Sequence, residues 1–93
     1  MIDPYDVVPY YVITEALRDV NEIRKQHECA PLQKMPEGEV GNPRACPLFR
    51  ALSDIPDVEG VTHMYIAWKH KNRVTPAPSS FEPFIGWFDA NEE

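Results

Sequence analysis

The sequence predicts an α+β fold in a single domain spanning residues 1–93, and three patterns predict it. Apolar residues recur at helical steps over Pro9–His27, a β-branched and aromatic run fills 61–68, and Phe81, Phe84, Ile85 and Phe88 stand at i, i+3, i+4 and i+7. A chain of 93 residues suits one domain. Such a domain buries roughly 60–65% of its unfolded surface, which makes one modest core. The apolar fraction of 43% is enough for it.

The first element is a long helix. Pro9 suits a first helical position, and it keeps Val8 out of α geometry. Val12, Ile13, Ala16, Leu17, Val20 and Ile23 then form one apolar stripe, with Glu15, Arg18, Asp19, Glu22 and Lys25 on the wet side. Residues 30–46 follow, broken by Ala30-Pro31, Met35-Pro36, Gly38, Gly41 and Asn42-Pro43. The stretch reads either as a functional loop or as a connector pinned by Leu32 and Met35. A short second helix starts near Cys46-Pro47 and runs to Ser53, burying Leu48, Phe49, Ala51 and Leu52. A start at Asn42 would place Pro47 too deep in the helix.

Val61–Trp68 reads as one strand, with Met64, Ile66 and Trp68 on the face under the helices and His63, Tyr65 and Ala67 on the other. The tip Lys69–Asn72 returns the chain into Arg73–Thr75, giving a hairpin around 61–75 in a small antiparallel sheet. Pro76 and Pro78 close it. Ser79-x-x-Glu82 has the capping-box spacing, which starts a C-terminal amphipathic helix. Asp89–Glu93 is a polar tail. No internal repeat is visible.

Ten prolines against four glycines keep the elements short and sharply bounded. The net charge of −6 argues against nucleic acid and favours steering toward a basic partner. No apolar run approaches the ~20 residues of a membrane span. Met1-Ile2-Asp3-Pro4 does not open like a secretory signal, so a cytoplasmic protein with reduced thiols at Cys29 and Cys46 is expected.

The residues that could carry chemistry are few. His27, Cys29, Cys46 and His63 or His70 are zinc-ligand types, but they lack the two close pairs of a structural site, and no metal or cofactor is expected. A Cys29–Cys46 disulfide would need an oxidising compartment. Cys46 at a helix start could be an activated thiol, yet a nucleophile also needs a base, and packing is the simpler role. Lys69, His70, Lys71 and Arg73 form a basic cluster near Tyr65 and Trp68. It reads as a solvated hairpin tip rather than a single-strand nucleic-acid contact. The chain has no P-loop, G-x-S-x-G or H-E-x-x-H, so no enzyme is expected.

Aromatic rings exceed what a small core needs. Trp87 lies off the Phe81–Phe84–Phe88 stripe and Tyr10 off that of the first helix. Each reads as a docking ring or as a cap on the core edge. Tyr10, Trp87, Met35 of the loop and Arg73 of the basic cluster are the expected partner-binding residues.

Asn42-Pro-Arg-Ala-Cys-Pro-Leu-Phe-Arg-Ala-Leu52, a strand, and Phe84-Ile-Gly-Trp-Phe-Asp-Ala90 together resemble small proteins of actinobacteria and their phages. In those, a Cys-Pro-hydrophobic-x-x-Ala-Leu helix start precedes a hairpin and a Phe-Ile-x-x-Phe-Asp-Ala helix. The resemblance covers residues 42–90, leaves the first helix outside, and carries over no catalytic residue. It implies a phage or prophage setting, in which small accessory proteins bind and redirect a host protein. A non-enzymatic protein-interaction module is the expectation, with a host protein such as a coiled-coil cell-growth factor as partner. The alternative is a small zinc- or nucleic-acid-binding regulator.

Overall fold

The computed structural model describes residues 4–38 and 46–90. Helix α1 (Tyr10–Gln26), helix α2 (Pro47–Leu52), strands β1 (Val58–Val61), β2 (Tyr65–Trp68) and β3 (Val74–Pro76), and helix α3 (Phe81–Asp89) follow in that order. The strands form one antiparallel sheet in the order β1-β2-β3. Short 3-10 turns lie at Pro4–Asp6 and His70–Asn72. The fold is α+β, with the long N-terminal and short C-terminal helices the periodicity predicts.

Helix α1 starts one residue after Pro9, which is its cap rather than the first helical position expected of it. Pro9 keeps extended backbone (ψ 142°), and its carbonyl accepts from the amides of Val12 and Ile13. Val12, Ala16 and Val20 form the buried stripe, with Arg24 one step further along it. The helix ends in a Schellman motif. The Cys29 amide donates to the Arg24 carbonyl (2.8 Å) and the Glu28 amide to that of Lys25 (3.1 Å), with Glu28 left-handed at φ 61°.

Residues 30–38 are held as a connector. The Asn21 side chain pairs with both backbone groups of Leu32 (3.0 and 2.8 Å), as a strand neighbour would. The Tyr5 hydroxyl donates to the Pro36 carbonyl (2.6 Å). A Cβ at Gly38 would collide with the backbone of Cys46-Pro47, so only glycine allows this close approach. Met35 is 6% exposed and belongs to the core. It therefore offers nothing to a partner, which corrects the docking role expected of it.

Helix α2 begins at Pro47, where the later start was expected. The Cys46 sulfur caps it by accepting from the Phe49 amide (3.3 Å). The alternative start at Asn42 lies outside the described residues.

The run at 61–68 is not one strand. The Thr62 hydroxyl accepts from the amides of Met64 (3.2 Å) and Tyr65 (3.1 Å), and the Thr62 amide donates to the Tyr65 carbonyl (2.9 Å). Thr62 thereby builds a turn that its β propensity conceals. The sheet gains a strand on the N-terminal side, and Met64 sits exposed in the turn rather than under the helices. Ile66 and Trp68 keep the inward positions predicted for them.

The capping box is not made either. Helix α3 is capped from Ser80 without a side-chain cap bond, and the Ser80 hydroxyl donates instead to Asp19 of α1 (2.5 Å). One core results. Phe81, Phe84 and Phe88 of α3 join Val12, Ala16 and Val20 of α1, Leu48 and Leu52 of α2, and the inner sheet residues Val61 and Ile66. Phe84 and Phe88 stack at 5.9 Å, and Tyr5 tilts over both.

Candidate protein-interaction surface

Strand pairing decides which residues share a face. Tyr65 stands opposite Pro76, and Ala67 opposite Val74 on one side and Gly60 on the other. Neighbours across an antiparallel ladder point the same way. Ile66 and Trp68 face the core, so Tyr65, Ala67, Val74 and Pro76 face outward. Tyr65 is 42% exposed and Val74 57%. Among the described residues, helices cover only the inner side, and the outer side presents an apolar surface. Exposed Met64 adjoins it in the β1–β2 turn.

The hairpin tip stands at one end of this face. Lys71 and Asn72 are left-handed at φ 59° and 49°. The Lys69 amide donates to the Asp57 carbonyl and the His70 amide to the Asp57 carboxylate, both at 2.8 Å. These bonds fix the tip backbone and leave the side chains of Lys69, His70 and Lys71 in solvent.

Arg73 turns to the inner side. Its guanidinium lies 5.0 Å over the Trp68 ring, against which His27 also stacks at 5.4 Å. The Trp68 indole donates to the Thr75 hydroxyl (2.8 Å). Arg73 is exposed, as a docking residue must be, but it also packs on Trp68 of β2, while His27 joins that ring to the end of α1.

Tyr10 is 81% exposed in the first turn of α1, beside exposed Tyr11. Trp87, 46% exposed, lies on the outward side of α3. Tyr10, Trp87 and Arg73 therefore stand on three different elements. Tyr11, Met64, Tyr65 and Val74 are not among the expected docking residues, although the sequence places Tyr65 on the outer face beside the basic cluster and Met64 on the core face. For Tyr65 and Val74 the available signal was a charge pattern. Between Gly60 and Phe81 there are three Lys/Arg and no Asp/Glu, while the rest of the chain sets six Lys/Arg against all fifteen acids. The segment Gly60–Phe81 is thus +3 on a chain that is otherwise −9, and Glu59 of β1 brings the sheet Val58–Pro76 to +2.

The thiols give no sign of nucleophilic chemistry. Burial pushes the Cys46 thiol above its ordinary 9.0, against the smaller opposing effect of the Phe49 amide. The lowering that a helix start can give a thiol is therefore outweighed at this site, in line with the packing role expected of Cys46. Both cysteines are free. Among the described residues no three His, Cys, Asp or Glu side chains gather as a metal site, and no helix is long and apolar enough to cross a membrane.

Comparison with protein-family models, with curated proteins and with solved structures gives no match.

Proposed function

We propose that the protein is a non-enzymatic protein-interaction module. In the phage setting that the resemblance implies, it is an accessory protein that binds a host protein in the host cytoplasm and inhibits or redirects it. A coiled-coil cell-growth factor is one such partner. The observation that carries this reading is the uncovered sheet face, where Tyr65, Ala67, Val74 and Pro76 align outside the core. Exposed contiguous apolar surface of this kind marks interaction sites, and aromatic rings dominate binding hot spots. Tyr10 and Tyr11 offer a second aromatic surface.

The test is site-specific photocrosslinking of the full chain in lysates of actinobacterial hosts. A benzophenone amino acid is placed at position 65, at position 10, and at the exposed control position 82. The expected result is one recurrent host protein captured from 65 or 10 and not from 82. No recurrent protein from either position, across several hosts, overturns the reading.

A further inference from the structure

We infer that the outward face of the sheet docks an acidic amphipathic helix of the partner protein. The inference rests on the protein-interaction reading and names the surface and the chemistry that it leaves open.

Charge fixes the sign of the occupant. The segment Gly60–Phe81 carries no carboxylate, and the one acid of the strands is Glu59 of β1, exposed at the bulge, which leaves the sheet Val58–Pro76 at +2. Asp57 is the acid bonded to the tip, and its carboxylate already accepts from the His70 amide. Lys69 and Lys71 extend into solvent at the end of the apolar face. A partner matching this surface carries apolar side chains for Tyr65, Val74 and Pro76, and carboxylates for the two lysines. The chain's overall −6 favours basic partners, so the face selects against the long-range field of its own molecule. Nucleic acid fits worse, because its unbroken phosphate charge meets the remaining −9.

Shape fixes the occupant as a helix. An added strand would pair along an outer edge; that of β1 is only four residues long and bulged between Val58 and Gly60, which leaves that of β3. There the Trp68 amide donates to the Arg73 carbonyl and the Ala77 amide to that of Met64, so Arg73 and Ala77 turn inward to β2. By alternation Val74 and Pro76 turn outward, and Pro76 has no N–H to give. Of the two outward residues only Val74 has an amide to offer, so that edge gives one donor rather than a continuing ladder. The face itself is three strands wide, about 10 Å between its outer strands, which accommodates one helix of about that diameter.

The experiment uses the full chain with the photoreactive residue at 65, 74 or 10, and the crosslinked peptide is mapped by mass spectrometry. The expected result is one partner peptide reached from 65 and 74. It has net negative charge and apolar residues at three- and four-residue steps. Capture should fall about tenfold in a Lys69→Glu/Lys71→Glu variant, and several-fold between 0.1 and 0.5 M salt. Lys69→Gln/Lys71→Gln provides a milder variant, and both are checked for a parental circular-dichroism spectrum. Arg73 is left intact because it packs on Trp68. A neutral or basic peptide, a peptide of this chain from a second copy, nucleic acid at 65 and 74, or capture unaffected by both lysine variants overturns the inference. Capture of a host protein from position 10 alone overturns it and leaves the interaction reading standing. No capture from any of the three positions overturns both.

Discussion

Arg24 is the residue on which three segments converge. It is 5% exposed. Its Nε donates to the Ala30 carbonyl (2.8 Å), and its Nη1 donates to the Ala51 carbonyl (2.8 Å) and the Asp54 carboxylate (2.7 Å). One guanidinium thus joins the end of α1 to the connector and to the end of α2. Its position was legible, since it follows Val12, Ala16 and Val20 at a four-residue step. Its role was not, because a charged residue on a stripe normally marks the stripe's edge. The partners are unequal. The Ala51 carbonyl is buried, and among the described residues no other side chain donates to it, whereas Ala30 is exposed and Asp54 has a largely exposed side chain. Arg24→Met, which keeps the bulk, should cost about 1–3 kcal/mol because it strips the donor from the buried Ala51 carbonyl. Asp54→Asn should cost less than about 1 kcal/mol, as exposed ion pairs do. Urea unfolding midpoints measure both. Equal losses would show that the ion pair, not the carbonyl bonds, holds the junction.

At the scale of elements, helix α1, the start of α2 and helix α3 were readable because periodicity and proline act locally. The sheet was readable in class but not in detail. A run such as Val61–Trp68 looks continuous when judged by propensity, yet one hydroxyl at Thr62 captures two amides and reverses the chain. The same competition misleads at α3. The spacing Ser79-x-x-Glu82 satisfies the capping-box pattern, but Ser80 is buried against Asp19 of α1 and its neighbour Ser79 is exposed. A contact between residues 61 apart in sequence has set the start of the helix. The consequence is an ordering of two alanine variants. Ser80→Ala should lose about 1–2 kcal/mol, since it removes the short donor to a half-buried carboxylate. Ser79→Ala should stay within about 0.5 kcal/mol of the parent. If the box mattered, Ser79→Ala would instead lose about 1 kcal/mol, as capping serines do. Thermal melts of the two variants decide between the arrangements.

Across the whole molecule, the candidate surface was the least legible feature, for a physical reason. Tyr65, Val74 and Pro76 are not periodic with one another, and only the β2–β3 register brings them to one face. Net charge hides the basic segment for a similar reason, because it averages the +3 of Gly60–Phe81 with the −9 of the rest of the chain. Beneath that surface lies one core, to which all three helices and the inner sheet face contribute. Trp68 belongs to that inner face, and His27 from the end of α1 stacks on it. Sheet and helices therefore should not unfold separately. Trp68 is a natural probe of the sheet once the second indole is removed by Trp87→Phe. Helix α1, at 17 residues, dominates the helical circular-dichroism signal. In the Trp87→Phe protein, Trp68 fluorescence and ellipticity at 222 nm should give one urea midpoint and one slope, as two-state domains of this size do. If fluorescence changed at lower urea than ellipticity, the sheet would be a separate unit that docks on a pre-formed helical core. The stack of His27, Trp68 and Arg73 would then be a hinge between two parts instead of a seam within one.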